Sequence, residues 1–300
     1  MKYRVSHTTE YDYAKPVSLA HNETHLRPRD SASQRVLAYR LEIDPVPAVV
    51  AERSDFFGNA VTYFALEQPH RHLRVTALSD IELDAANHRP HLRSSLPWQE
   101  IPERVRQQRT EAGLCAAQFI LESPMVSVSP ELRRYAGKSF HDDWSLLEAV
   151  QDLMQRIHTD FSYDPGFTSI ATPLAHVFEH RRGVCQDFAH LAIACLRSHG
   201  LAARYVSGYI ETIPPPGQEK LAGSDASHAW FSVYDPTVGW LDFDPTNNLV
   251  PMDQHITTAW GRDYSDVTPL RGVIFGGGEH SAKVAVDVQR EGQLGPRPTA

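Results

Sequence analysis

The stretch that decides the fold is Arg181-Arg-Gly-Val-Cys185-Gln-Asp-Phe-Ala-His190. It sets a cysteine where a loop runs into a helix. Phe188, Leu191, Ala192, Cys195 and Leu196 recur as the apolar stripe of that helix, and Gly200 lies just past its end. Upstream, Leu146, Leu147, Val150, Leu153, Met154 and Ile157 mark another helix with one buried face. Asp142 and Asp143 are its expected caps. Thr172 is expected to cap a short helix with Pro173 in its first turn. Downstream the period changes, and Arg204–Ile210, His228–Tyr234 and Trp240–Asp244 read as strands. A cysteine-bearing helix followed by sequential strands predicts an α+β core with the helix packed on an antiparallel sheet.

Further out, the N-terminal part is β-rich. Tyr3–Tyr13, Val36–Asp44, Val61–Leu66 and Leu73–Leu78 alternate, and Asp55-Phe-Phe-Gly-Asn59 is turn chemistry. Residues 1–88 therefore read as a sandwich-like β domain and 89–102, polar and proline-containing, as a linker. The core is expected over 103–290, with Val284, Val286 and Val288 in a last strand. Residues 291–300 have the composition of a disordered tail. The segment 213–227, rich in proline and glycine, reads as a loop overhanging a cleft.

Bulk properties narrow the function. A net charge of -8 argues against a general nucleic-acid or anionic-membrane binder, since both partners select basic surfaces. No apolar run approaches a membrane-spanning length and no secretory signal is visible. Three scattered cysteines do not make a disulfide framework, so the expected compartment is the cytoplasm. Among sixteen histidines, only the pair His176 and His180 has helical ligand spacing, and no Glu or Cys completes a metal pattern. No metal and no cofactor is expected.

Cys185 sits where helix N–H groups are unpaired and the helix dipole favours an anion, which stabilises a thiolate. Cys195, mid-helix on the stripe, reads as packing. The hairpin around Asp235-Pro-Thr-Val-Gly239 supplies the rest. If Tyr234 faces Trp240, His228 becomes the diagonal neighbour of Asp244 on one face; a two-residue shift sets them directly opposite. Asp242 shares the face at greater distance and is the weaker orienting carboxylate. Thiol, imidazole and carboxylate are the parts of a nucleophilic acyl-transfer site. Arg181 and Arg182 would support a thiolate electrostatically or stand solvated.

Gly183-Val-Cys185-Gln-Asp-Phe-Ala, Ser227-His228-Ala-Trp230, and Gly239-Trp240 through Asp244-Pro-Thr-Asn247 resemble, in order, three signature blocks of the transglutaminase-like superfamily of papain-like cysteine enzymes. Leu26-Arg-Pro-Arg-Asp30 and Asp55–Asn59 resemble the β-rich region preceding this core in bacterial members. Gly261-Arg-Asp-Tyr264 through Pro269-Leu-Arg-Gly272 resembles their tail. The resemblance implies Cys185 as nucleophile, His228 as general base and acid, and Asp244 as the residue orienting the imidazole. The backbone N–H of Cys185 is a candidate oxyanion donor on position, with Gln186 and Tyr163 as side-chain candidates. Trp230 and Trp240 either line a substrate groove or pack across strands. The calcium requirement of animal members is not transferred, because no dense acidic loop is present. The expected activity is cysteine-dependent acyl transfer on an amide, peptide or protein substrate, as a peptidase or amidase. Alternatives are a protein-glutamine transglutaminase and a non-catalytic binding module on the same fold.

Overall fold

The computed structural model describes residues 1–84, 94–211 and 227–291. Most of the segment expected to overhang a cleft, residues 292–300 of the expected tail and residues 89–93 of the expected linker lie outside these.

Strand β1 (Lys2–Thr24) organises the β-rich part. With it come β2 (Gln34–Asp44), β3 (Val49–Ser54), β4 (Ala60–Leu66) and β5 (His70–Leu83). The register of β1 breaks between Asp12 and Val17, around Pro16, which has no N–H to give a ladder. Its first half lies beside β5 and its second half beside β4, while β2 and β3 extend the two sides. Tyr13, Val17, Phe64, Leu66, Leu73 and Val75 meet in one apolar cluster between the halves, which gives the sandwich-like character.

The sheet is completed from the other end of the chain. Strands β12 (Leu270–Gly276) and β13 (His280–Arg290) pair with the second and first halves of β1. Residues 270–290, expected within the core, thus belong to the N-terminal sheet. Alternation of Val284, Val286 and Val288 marks a strand but carries no information about its partner. Gly276-Gly-Gly278, all at positive φ, makes the turn between the two.

The expected linker is also corrected over its described part. From residue 94 the chain is packed, and Ile101 is buried in the main core beside Leu96 and Trp98. Three short helices follow, α1 (Ile101–Gln107), α2 (Glu111–Ala117) and α3 (Pro130–Gly137). Helix α4 (Leu146–Asp160) buries the predicted stripe, but its cap is Ser145 in a capping box with Glu148, not an aspartate. Strand β6 (Ser162–Tyr163), α5 (Leu174–His180) and β7 (Arg182–Gly183) lead to α6 (Cys185–Arg197). Helix α5 starts after Pro173, one residue later than the sequence suggests.

Helix α6 packs on a four-stranded antiparallel sheet in the order β10-β9-β8-β11. These strands are β8 (Ala203–Ile210), β9 (Ser227–Asp235), β10 (Gly239–Phe243) and β11 (His255–Gly261). Phe188, Leu191, Ile193 and Leu196 of α6 are buried in the same cluster as Phe231, Val233 and Phe243. Burying one such side chain stabilises the fold by roughly 1.5–3 kcal/mol, so this face fixes the helix against the strands.

The two parts meet along β11, whose far edge from β8 would otherwise be unpaired. The side-chain amide of Gln34 donates to Thr257 O at 2.7 Å and accepts from Thr257 N at 2.8 Å. Asn59, fully buried, does the same for Trp260, at 2.8 and 3.0 Å. Arg29 stacks on Trp260 at 3.6 Å and donates to Asn59 Oδ1 at 2.6 Å. Arg29, Gln34 and Asn59 therefore clamp an edge strand of the core.

Candidate active site

Cys185 is the first residue of α6, half-buried against the core. Val184 precedes it with extended backbone and offers no capping oxygen. Asp187 supplies the single cap instead, its Oδ2 accepting from Val184 N at 2.8 Å. That oxygen also accepts from Thr168 Oγ1 at 2.6 Å, tying the 164–172 loop to the helix mouth. The N–H groups of this first turn have no intrahelical acceptor and point at the region of the thiol. Gly183 is required here, because a Cβ would come within 2.7 Å of the Asp187 carboxylate.

His228 and Asp244 come from the predicted hairpin. Its register pairs Trp240 with Tyr234 and Phe243 with Phe231, the diagonal arrangement of the two considered. His228 Nε2 lies 2.7 Å from Asp244 Oδ2. The carboxylate can only accept, so Nε2 carries the proton. The other ring nitrogen, Nδ1, is left to accept, and Cys185 lies near enough to act on the imidazole's charge. His228 is 8% exposed and Asp244 is fully buried. Burial opposes a charged imidazole, but the hydrogen bonds and negative charges of Asp244 and Cys185 outweigh it and raise His228 to about 10. Burial likewise opposes the Asp244 carboxylate. Hydrogen bonds from His228 and His255 overcome this and hold it well below the usual carboxylate range.

Asp244 is the hub of the site. Its Oδ1 accepts from the backbone of Thr246 at 3.0 Å and Asn247 at 3.2 Å, a turn that the Asp-Pro-Thr-Asn sequence encodes. Its Oδ2 accepts from His228 and from Asn247 Nδ2, both at 2.7 Å, and from His255 Nε2 at 3.0 Å. His255 was not anticipated. It lies on β11, two strands from β9, and reaches Asp244 past Gly208 of β8. A Cβ on Gly208 would meet Ile256 O at 2.0 Å and the Trp230 ring at 2.6 Å. A glycine inside an otherwise bulky strand was the available sign of such a close approach. His228, Asp244 and His255 offer ligand-type atoms within 4.8 Å of one another. Both Nε2 atoms already donate to one carboxylate oxygen, so these two nitrogens are engaged in hydrogen bonds.

The remaining candidates are dispersed. Tyr163 is 55% exposed on β6, opposite Gly183 and near Cys185; burial and the negative charge of Cys185 both raise its phenol. Gln186 is half-buried in the first turn of α6. Trp230 is fully buried, T-shaped to His255 at 5.0 Å, and donates to Asp242 at 3.1 Å. Asp242 is thus engaged by Trp230 and by Ser232, away from His228. Trp240 packs on Phe119 and Tyr234 with Arg204 over its ring. Arg181 lies over the rings of Tyr135, Phe161 and Phe178, and Arg182 pairs with Asp164, so both guanidinium groups are engaged away from the thiol. Cys195 is fully buried, and burial pushes its thiol up to about 12. His176 stacks on Phe167, and His180 sits tilted against both rings.

Comparison with known proteins places these elements. Residues 134–245 match the model of the transglutaminase-like superfamily, and residues 3–82 match the bacterial transglutaminase-like N-terminal region. An uncharacterized protein of Mycobacterium tuberculosis is 44% identical over 292 residues, covering 96% of this chain and 92% of its own. A protein-glutamine gamma-glutamyltransferase of Pseudomonas aeruginosa is 34% identical over 106 residues, 34% of this chain and 16% of that protein. A solved structure from Cytophaga hutchinsonii, described as a candidate cysteine protease, shares the fold with a TM-score of 0.74 at 22% identity, covering 100% of this chain and 92% of that one.

Proposed function

The chain belongs to the transglutaminase-like superfamily, and on that premise we propose that it is a thiol acyl-transfer enzyme acting on amide or peptide substrates through a thioester. The observation that carries this reading is His228 hydrogen-bonded to Asp244 at 2.7 Å, with Cys185 at the mouth of α6 near enough to raise the imidazole.

In the proposed reaction, His228 Nδ1 takes the Cys185 proton and the thiolate adds to the substrate carbonyl carbon. The oxyanion forms at the mouth of α6, where the Cys185 N–H is the candidate donor. The C–N bond breaks as the imidazolium proton passes to the leaving ammonia or amine, and a thioester remains. Water then attacks, giving its proton to His228, and the C–S bond breaks to release an acid. Asp244 keeps Nε2–H in place throughout, which leaves Nδ1 free to accept.

Amine transfer is the second reading. It is favoured by the 106-residue similarity to the Pseudomonas aeruginosa protein-glutamine gamma-glutamyltransferase. It differs only in the nucleophile that reaches the thioester. A screen of glutamine-containing peptides with and without a primary amine separates them. Ammonia release without amine incorporation supports hydrolysis, and incorporation supports transfer. Cys185→Ala should abolish both while the protein still melts cooperatively. Full turnover in that variant would refute the proposal.

A further inference from the structure

Asp244 Oδ2 accepts two histidine N–H groups, and the acyl-transfer reaction uses one of them. The second, from His255 at 3.0 Å, comes from a different strand and is nearly sealed from water, at 6% exposure. A mere filler at this position would be apolar. Instead the chain places a second imidazole here and leaves its Nδ1 buried with no hydrogen-bond partner among the described residues, which costs stability and is not a packing gain. The position is also built. Strand β11 is clamped at its outer edge by Gln34 and Asn59, and Gly208 of β8 leaves room for the β11 backbone at Ile256 and for the Trp230 ring. Rigid support of this kind is what a reacting constellation needs.

We propose that His255 is a positioning residue: its Nε2–H pins Asp244 in the rotamer that aligns His228 with Cys185 and shares the carboxylate's charge with His228. The proposal rests on the thiol acyl-transfer reading. Among the described residues, the groups facing this carboxylate and imidazole are Cys185 from α6, Trp230 from β9, Asn247 from the turn after β10 and His255 from β11, and Gly208 of β8 lies opposite His228. Among them His255 and Asn247 compete with His228 for Oδ2. A competing donor weakens the carboxylate's hold on the imidazolium proton. Removing it therefore raises the pH at which His228 loses that proton.

The test compares His255→Gln with His255→Asn in the full chain. Glutamine places its amide N–H near the position of Nε2, whereas asparagine is one carbon too short to reach Asp244. The asparagine variant should lose on the order of tenfold or more in kcat at unchanged KM, and the alkaline limb of Cys185 alkylation by iodoacetamide should move up. The glutamine variant should recover most of the rate and the original limb. Equal behaviour of the two variants, with wild-type Cys185 alkylated faster than the exposed Cys115, overturns the proposal alone. Wild-type Cys185 no faster than Cys115 takes down the acyl-transfer reading and this one with it. A measurement on the unmutated protein guards against misfolded variants. Nitrogen-15 spectra of histidine-labelled protein should show exchange-protected Nε2–H protons on both His228 and His255, and a His255 protonated at Nδ1 instead refutes the proposal.

Discussion

Replacing Asp244 by asparagine keeps the side chain's size and removes its charge, and the surroundings amplify the change. Three side-chain donors converge on Oδ2 and two backbone N–H groups on Oδ1. An amide has one oxygen. If that oxygen takes the Oδ1 place, the NH2 group faces three donors; if it takes the Oδ2 place, two backbone donors go unmet. At least two buried donors are left without acceptors, at about 1–3 kcal/mol each, so unfolding should cost about 2–6 kcal/mol less. His228 can escape by accepting from the new NH2 at Nε2, but its proton then moves to Nδ1, facing Cys185. The imidazole becomes a donor to the thiol and can no longer take its proton. An ordinary thiol with pKa ~8.5 is about 3% ionised at pH 7. A fully formed thiolate–imidazolium pair would therefore outreact it roughly 30-fold, reduced a few-fold because a less basic thiolate is a weaker nucleophile. The assay is limiting iodoacetamide with mass spectrometry, taking exposed Cys115 as the in-chain reference; Cys195, buried and pushed up to about 12, should stay unlabelled. The Cys185-to-Cys115 labelling ratio should fall about tenfold or more at pH 7 in Asp244→Asn and recover towards pH 9. A folded variant that keeps the wild-type ratio from pH 6 to pH 8, roughly the span around the His and thiol reference values, would refute the reasoning.

Two further outcomes follow from the same geometry. Asn59→Ala removes both hydrogen bonds to the Trp260 backbone and leaves a buried N–H and C=O of β11 unmet, so the urea midpoint should drop by the equivalent of about 2–5 kcal/mol; a midpoint within error of wild type would show that the clamp is energetically idle. His228 is raised above its ordinary 6.5, so its contribution to stability is complete below that value and fades as pH rises towards about 10. Asp244 is lowered, so its contribution is complete above 3.8 and is lost as pH falls below it. The stability gap between wild type and His228→Gln, read from urea midpoints, should therefore narrow on both sides of a plateau between those pH values, and a gap flat from neutrality to pH 10 would contradict the paired imidazolium.

What could be read from the chain and what could not divide along one physical line. The features legible in the sequence are those whose determinants lie within a few residues. Asp235 accepts from Thr237 and Val238 in the hairpin turn, so the register of β9 and β10, and with it the approach of His228 to Asp244, follows from local turn chemistry. The entry of Cys185 into α6 is equally local. Pairings across long stretches leave no such trace. β13 finds β1 across nearly the whole chain, and alternation at Val284–Val288 is compatible with any sheet edge. Ser145 outranks Asp142 and Asp143 as a cap because Glu148 answers it three residues on, a spacing that was available but weaker in appearance than a charged pair. His255 was hidden for a different reason. Its place beside Asp244 goes with a close approach of β11 to Gly208, a residue defined by what it lacks, and with β11 being held by the side-chain amides of Gln34 and Asn59, far away in the chain. The chain thus writes Cys185 and His228 in local motifs and writes the support of Asp244 in tertiary contacts. Mutations in the N-terminal clamp should accordingly reach the reacting groups through β11, although none of the clamp residues touches them.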